Sequence, residues 1–238
     1  SMYSGLFLFQ ALLQLLLLAW LLRLWRRTGL SIALALLIPQ FGLVYDNVVG
    51  GLGAVIGQGE FLEAISWPRF WIHWFFGAWL IIACGSILRL AGLPWAQQRG
   101  VMVAFCALTA AMMAIDLPYF WTVRDLYPVC EFDLVRYSVQ VPPYALCSPD
   151  QSPVPGQGAP IPQVVTCLVV IATGAVLLVR RRFPWLLLGG VLMLLSAMPP
   201  LSRWKLDNFG EILIAGGCIW ALATFSSGVR RAAPPRPA

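Results

Sequence analysis

Seven apolar stretches recur along this 238-residue chain, each near the roughly 20 residues that cross the hydrocarbon core of a bilayer. They fall near 6–25, 31–57, 69–92, 100–122, 162–180, 184–200 and 208–228, the sixth being short and proline-ended. Only 11% of residues are charged, against about 25% in a soluble domain. Inside a bilayer a helix satisfies its own backbone. The expected fold is therefore all-α: a polytopic membrane protein, a seven-transmembrane helix bundle.

Charge orients the bundle. With the N-terminus outside, the inner loops and tail hold Arg23, Arg26, Arg27, Arg89, Arg99, Arg180, Arg181, Arg182, Arg230, Arg231 and Arg236. The outer segments hold Arg69, Arg124, Arg136, Arg203 and Lys205, and the inner loops hold no acid. This is the positive-inside pattern and gives N-out/C-in. It also accounts for the net charge of +6 without nucleic acid as a partner. The first span carries its basic cluster after it, which reads as an uncleaved anchor rather than a signal peptide. The expected location is an integral membrane, the inner or plasma membrane in a bacterium, with the polar site on the extracytoplasmic side.

Residues 1–231 read as one seven-helix membrane domain and the Pro/Ala-rich 232–238 as a disordered tail. A long extracytoplasmic loop, 123–161, joins helices 4 and 5. Its prolines disfavour regular structure, and Tyr127, Phe132, Tyr137 and Tyr144 suit a cap packed on the bundle. Cys130 and Cys147 lie in this loop, and an oxidising compartment would let them form a disulfide. Cys84, Cys106, Cys167 and Cys218 read as small buried hydrophobes. Two short echoes recur, Pro39-Gln40 with Pro162-Gln163 and Asp46-Asn47 with Asp207-Asn208. Neither establishes a repeat.

All ten carboxylates fall in or on the outer side of the bundle. Ionisable groups within spans are costly, and so are functional candidates. At 1.5 Å per residue, helix two brings Tyr45, Asp46 and Asn47 past the midplane. Helix three begins outside and carries Arg69 and His73, four apart on one face. Helix four ends with Asp116 and Tyr119, and helix seven begins with Asp207, Asn208 and Glu211. Four helices thus deliver polar groups to one outer layer. Each residue also has a plain reading: Asp207 as a helix N-cap, Arg69 as a headgroup anchor, His73 as a structural hydrogen bonder, Asp116 as a broken helix end. Asp46 is hardest to read that way, since it lies deep in a span beside Gly50, Gly51 and Gly53. Trp71, Trp74 and Tyr119 would line a lipid site or belong to an interfacial aromatic belt.

One histidine cannot supply a multi-histidine metal set. The chain has no H-E-x-x-H, no G-x-S-x-G and no P-loop. The sole lysine precedes the last helix, which argues against a retinal Schiff base. No cofactor is expected. A divalent cation on Asp46, Asn47, Glu60 and Asp116 is chemically allowed but matches no loop signature. What remains is acid–base work in an apolar, aromatic pocket. The catalytic candidates are Asp46, Glu211, Asp207, His73 and Asp116. The substrate-binding candidates are Tyr45, Asn47, Arg69, Trp71, Trp74, Tyr119 and Asn208.

Seven helices in a chain of this length, with acids on helices two and seven, resemble the integral-membrane terpene cyclases. In that family two such acids are thought to protonate an isoprenoid epoxide or olefin. The resemblance implies Asp46 as the first acid and Glu211 or Asp207 as the second. Where the family often carries Asn-x-x-x-Glu on helix two, this chain reads Tyr45-Asp46-Asn47-Val48-Val49-Gly50. The expected function is a membrane-embedded enzyme acting on a lipid or isoprenoid by acid–base catalysis. Asp46 would donate the proton, and the bilayer and a hydrophobic substrate would be its partners. A proton- or cation-coupled transporter, or a non-enzymatic accessory or receptor-like protein, fits the same spans. Oligomeric state is not readable from the sequence.

Overall fold

The computed structural model describes residues 2–156 and 158–227, so the arginines from Arg230 onward and the 232–238 tail lie outside the described residues. The structure is mostly helical, at 72%. Among the described residues, five helices are long and apolar enough to cross a membrane, as in a helical integral membrane protein. They are α1 (Met2–Thr28), α2 (Ser31–Ile56), α5 (Arg99–Asp116, continued by α6, Tyr119–Thr122), α7 (Ile161–Arg181) and α9 (Asp207–Phe225). A sixth crossing is supplied if α3 (Glu60–Phe76) and α4 (Trp79–Leu90), bent by 45° at their junction, form one broken span. α8 (Trp185–Ser196) has 12 residues and rises only about 18 Å, short of the ~30 Å hydrocarbon core.

Two expected spans differ in detail. The third begins at Glu60, nine residues before the expected 69, because Gly57-Gln58-Gly59 makes the whole turn out of α2. Gly57 has φ 81°, in the left-handed region that suits glycine. Arg69 and His73 therefore lie in the third and fourth turns of α3. The fourth span breaks after Asp116, as the following Leu117-Pro118 permits.

The proline-rich loop is also more ordered than its composition predicts. β1 (Tyr127–Glu131) and β2 (Leu134–Ser138) form an antiparallel hairpin, with Val129 opposite Arg136. Pro128 lies near the start of an edge strand, where its missing N–H is tolerated, and the other prolines follow the hairpin. The expected disulfide is present: Cys130 and Cys147 are bonded, pinning β1 to the segment behind it.

The hairpin closes one end of the bundle. Asp133, at its turn, accepts hydrogen bonds from the Tyr3 and Ser4 amides, at 2.9 and 3.3 Å. Phe132 stacks on Tyr3. The Tyr137 hydroxyl accepts from the Gly59 amide, at 3.1 Å. Gly53 of α2 lies so close to the Val135 carbonyl that a Cβ there would collide with it. The opposite end carries Arg89 and Arg181. Arg181 donates to the carbonyls of Ala91 and Gly92, at 2.7 and 3.2 Å. Arg89 donates to that of Ala96, at 2.9 Å. Between the ends, Leu36, Ile87, Leu177, Leu186 and Leu222 form a dry core.

Candidate functional site

Helices α2, α3, α7 and α9 surround a cavity of about 510 Å³ beneath the hairpin. Such a volume lies within the usual range of small-molecule sites. Its hairpin end is polar: Asp46, Arg69, His73, Gln163, Asp207 and Glu211 line it from the bundle. Strand β2 contributes Arg136, and Gln140 just beyond it completes this end. Deeper, the wall is apolar, with Leu21, Leu36, Leu80, Cys218 and Ile219. From Gly53 at the hairpin, α2 descends about 10 Å to Asp46 and about 20 Å to Gln40, which also lines the cavity.

The polar end is ordered by specific pairs. Arg69 Nε donates to Asp46 Oδ1 at 2.5 Å, a close ion pair with the guanidinium nearly buried. Arg69 also reaches the Tyr137 carbonyl, at 3.4 Å, so the same side chain touches acid and cap. Asn208 Nδ2 donates to Asn47 Oδ1 at 2.9 Å, and Asn47 Nδ2 donates to the Leu43 carbonyl. The two Asp-Asn pairs seen in the sequence therefore meet. Their asparagines bind α2 to α9, while Asp46 and Asp207 both line the cavity. Glu211 stands differently: its Oε2 is buried with no hydrogen-bond partner among the described residues.

On the opposite wall, Gln163 Nε2 lies 3.0 Å from His73 Nε2 and 3.3 Å from Asp116 Oδ2. Asp116 is buried, while the His73 ring is surrounded by protein yet presents its surface to the cavity. Gln163 was not among the expected site residues. Its only sequence signal was the Pro-Gln echo, whose other glutamine, Gln40, lines the same cavity and donates to Gln14 Oε1 at 2.7 Å.

Above the cavity, Glu131 Oε2 accepts from Lys205 Nζ at 2.5 Å and lies 3.8 Å from Arg136. Burial pushes Lys205 below the ordinary lysine value, as does Arg136, while Glu131 and Asp207 oppose the shift. Burial likewise lowers Arg136, with Arg69 adding to the effect and Glu131, Asp207 and Asp46 opposing it. This network ties the hairpin to the segment entering α9.

The remaining expected residues stand outside the cavity wall. Tyr45 donates to the Ile65 carbonyl at 2.7 Å and packs between α2 and α3. Trp71 is exposed on α3 and stacks on Trp67. Trp74 is buried against Phe70, Tyr119 and Phe120. The described aromatics at these positions thus join helices or face outward, and do not line the cavity. Among the described residues no group of His, Cys, Asp and Glu is arranged to hold a metal ion.

Comparison with known protein families, curated proteins and solved structures finds no match for this chain.

Proposed function

We propose that this is a membrane-embedded enzyme that acts on a hydrophobic lipid or isoprenoid by acid–base catalysis, in the manner of the terpene cyclases its layout resembles. The observation that carries the reading is the polarity gradient of the cavity. A polar layer from α2, α3, α7 and α9 lies over a mainly apolar shaft lined by Leu21, Leu36 and Ile219. A molecule filling it would place one polar, reacting group at Asp46, Asp207 and Glu211 and its hydrocarbon below.

The ion pair bears on which acid does what. Asp46 is engaged by Arg69, which suits the anion or base. Glu211 Oε2 has no partner, which suits the proton donor that the sequence reading sought in Asp46. Asp207 feels the Arg136 and Lys205 cations, and Glu211 feels Asp207 and Asp46. In this reading the bundle makes seven passes, N-out and C-in, with α3 and α4 as one bent pass and α8 as a short one. The cap and the polar layer face the extracytoplasmic side. A transporter would need polar groups continuing to the arginine end, and none of the ten carboxylates lies there.

The test begins with native mass spectrometry of the gently purified protein and identification of the extracted ligand. One dominant hydrophobic compound, rather than bulk phospholipid, is expected. Asp46→Asn and Glu211→Gln should retain the fold and lose turnover of that compound by about 10²–10⁴-fold, the usual contribution of general acid–base groups. Full turnover by both variants refutes the reading.

A further inference from the structure

Gln163 lines the cavity and bridges two of the expected site residues from neighbouring helices. Its amide nitrogen bridges Asp116 Oδ2 on α5 and His73 Nε2 on α3. Amide orientation follows from partners rather than from shape. Turning this amide over would aim Oε1 at the Asp116 carboxylate, oxygen against oxygen. With Asp116 as the carboxylate anion, this fixes the NH₂ group inward, with one N–H for Asp116 and the other for His73. The amide oxygen is left buried and without a partner among the described residues. An imidazole nitrogen that accepts a hydrogen bond carries no proton, so the neutral ring holds its proton on Nδ1.

We propose that Gln163, anchored by Asp116, is a positioning residue that holds His73 as the Nδ1–H tautomer, so that His73 meets a ligand as a hydrogen-bond donor and not as a base at Nε2. The described residues offer Nδ1–H no other partner. A donor at His73 calls for an acceptor on the ligand group seated against it. A neutral carbonyl, ether or hydroxyl oxygen fits, and an ammonium does not. The catalytic consequence rests on the acid–base reading above, but the tautomer assignment does not.

The chain contains one histidine, so ring-¹⁵N histidine labelling reports His73 alone when the affinity tag carries none. The protein is measured in lipid nanodiscs at neutral pH, without added ligand. The wild type should show a protonated Nδ1 and an unprotonated Nε2. Gln163→Leu should shift the signals to a mixture or to the Nε2–H form, and Asp116→Leu should do the same by freeing the amide to turn. A wild-type ring protonated at Nε2, or at both nitrogens, overturns the proposal even if neither variant folds. An unchanged Nδ1–H pattern in folded Gln163→Leu overturns it as well. The two readings fail separately: an Nδ1–H ring in the wild type together with full turnover by Asp46→Asn and Glu211→Gln would remove the acid–base reading and leave Gln163's role standing.

Discussion

The Glu131–Lys205 pair is where the cap can be detached from the bundle by one substitution. Both side chains are 8% exposed, and the ammonium sits 2.5 Å from Glu131 Oε2. Unit charges this close attract by about 4 kcal/mol or more at an effective dielectric of 20. Desolvation consumes most of that, so the pair adds little net stability over apolar residues. Removing one partner, however, strands a buried charge and costs roughly 3–5 kcal/mol. In Glu131→Ala, Lys205 and Arg136 face each other with Asp207 left to offset both and Asp46 to offset Arg136. At the lower figure, about 3 kcal/mol, the population of open cap rises roughly 150-fold. Limited proteolysis reads this directly when opening and closing outpace cleavage. Cleavage within 123–160 should accelerate by that factor in Glu131→Ala, while Glu131→Leu combined with Lys205→Met should return close to the wild-type rate. Equal acceleration in the single and double variants would refute the argument, because the loss would then be one of packing and not of a stranded charge.

The same pair sets a pH dependence. Lys205 lies below its ordinary value in the folded protein, so the unfolded chain binds more protons between the two values, and stability rises with pH in that window. Unfolding in mixed micelles should therefore show stability increasing from the folded-state value of Lys205 up toward the ordinary lysine value, a slope that Lys205→Met abolishes. The Asn47–Asn208 bond crosses from α2 to α9 within the bundle, where such bonds couple by about 0.6 kcal/mol on average and up to about 1.7. A double-mutant cycle with Asn47→Leu and Asn208→Leu should give a coupling in that range, and zero coupling would break the assignment. Gly53→Ala places a methyl against the Val135 carbonyl. Overpacking of this kind costs about 1–3 kcal/mol, and it should appear as faster proteolysis of the hairpin before any loss of helix content.

What could be read from the sequence was whatever depends on composition along one dimension. Apolar length located the long helices. Two cysteines alone in a polar loop identified the disulfide. Glycine and proline marked the turns and the break after Asp116. Depth along each helix put Asp46, His73 and Glu211 in one layer, and all three line the cavity. Rotation about each helix axis was not readable, because helices hydrophobic on every side carry almost no face signal. That is why Trp71 and Trp74 stayed open between a lipid site and an interfacial belt, where the structure has Trp71 exposed and Trp74 packed against Tyr119 and Phe120. It is also why Gln163 was not singled out for the site: a neutral amide near a helix start costs little to place there, and the Pro-Gln echo alone did not point to the cavity. The hairpin escaped because its ten strand residues contain only one proline, while the proline content was averaged over the whole loop.

The contact between Asp133 and the start of α1 joins residues 130 positions apart. At 5–20 residues per second, a ribosome that has just made Tyr3 needs roughly 7–26 seconds more to reach Asp133. Through that interval the Tyr3 and Ser4 amides lack the carboxylate that accepts from them in the folded chain. The start of α1 is thus completed by a residue made 130 positions later. Closure of the cap and final seating of α1 become a single late event in assembly, after α2 to α6 have been synthesised.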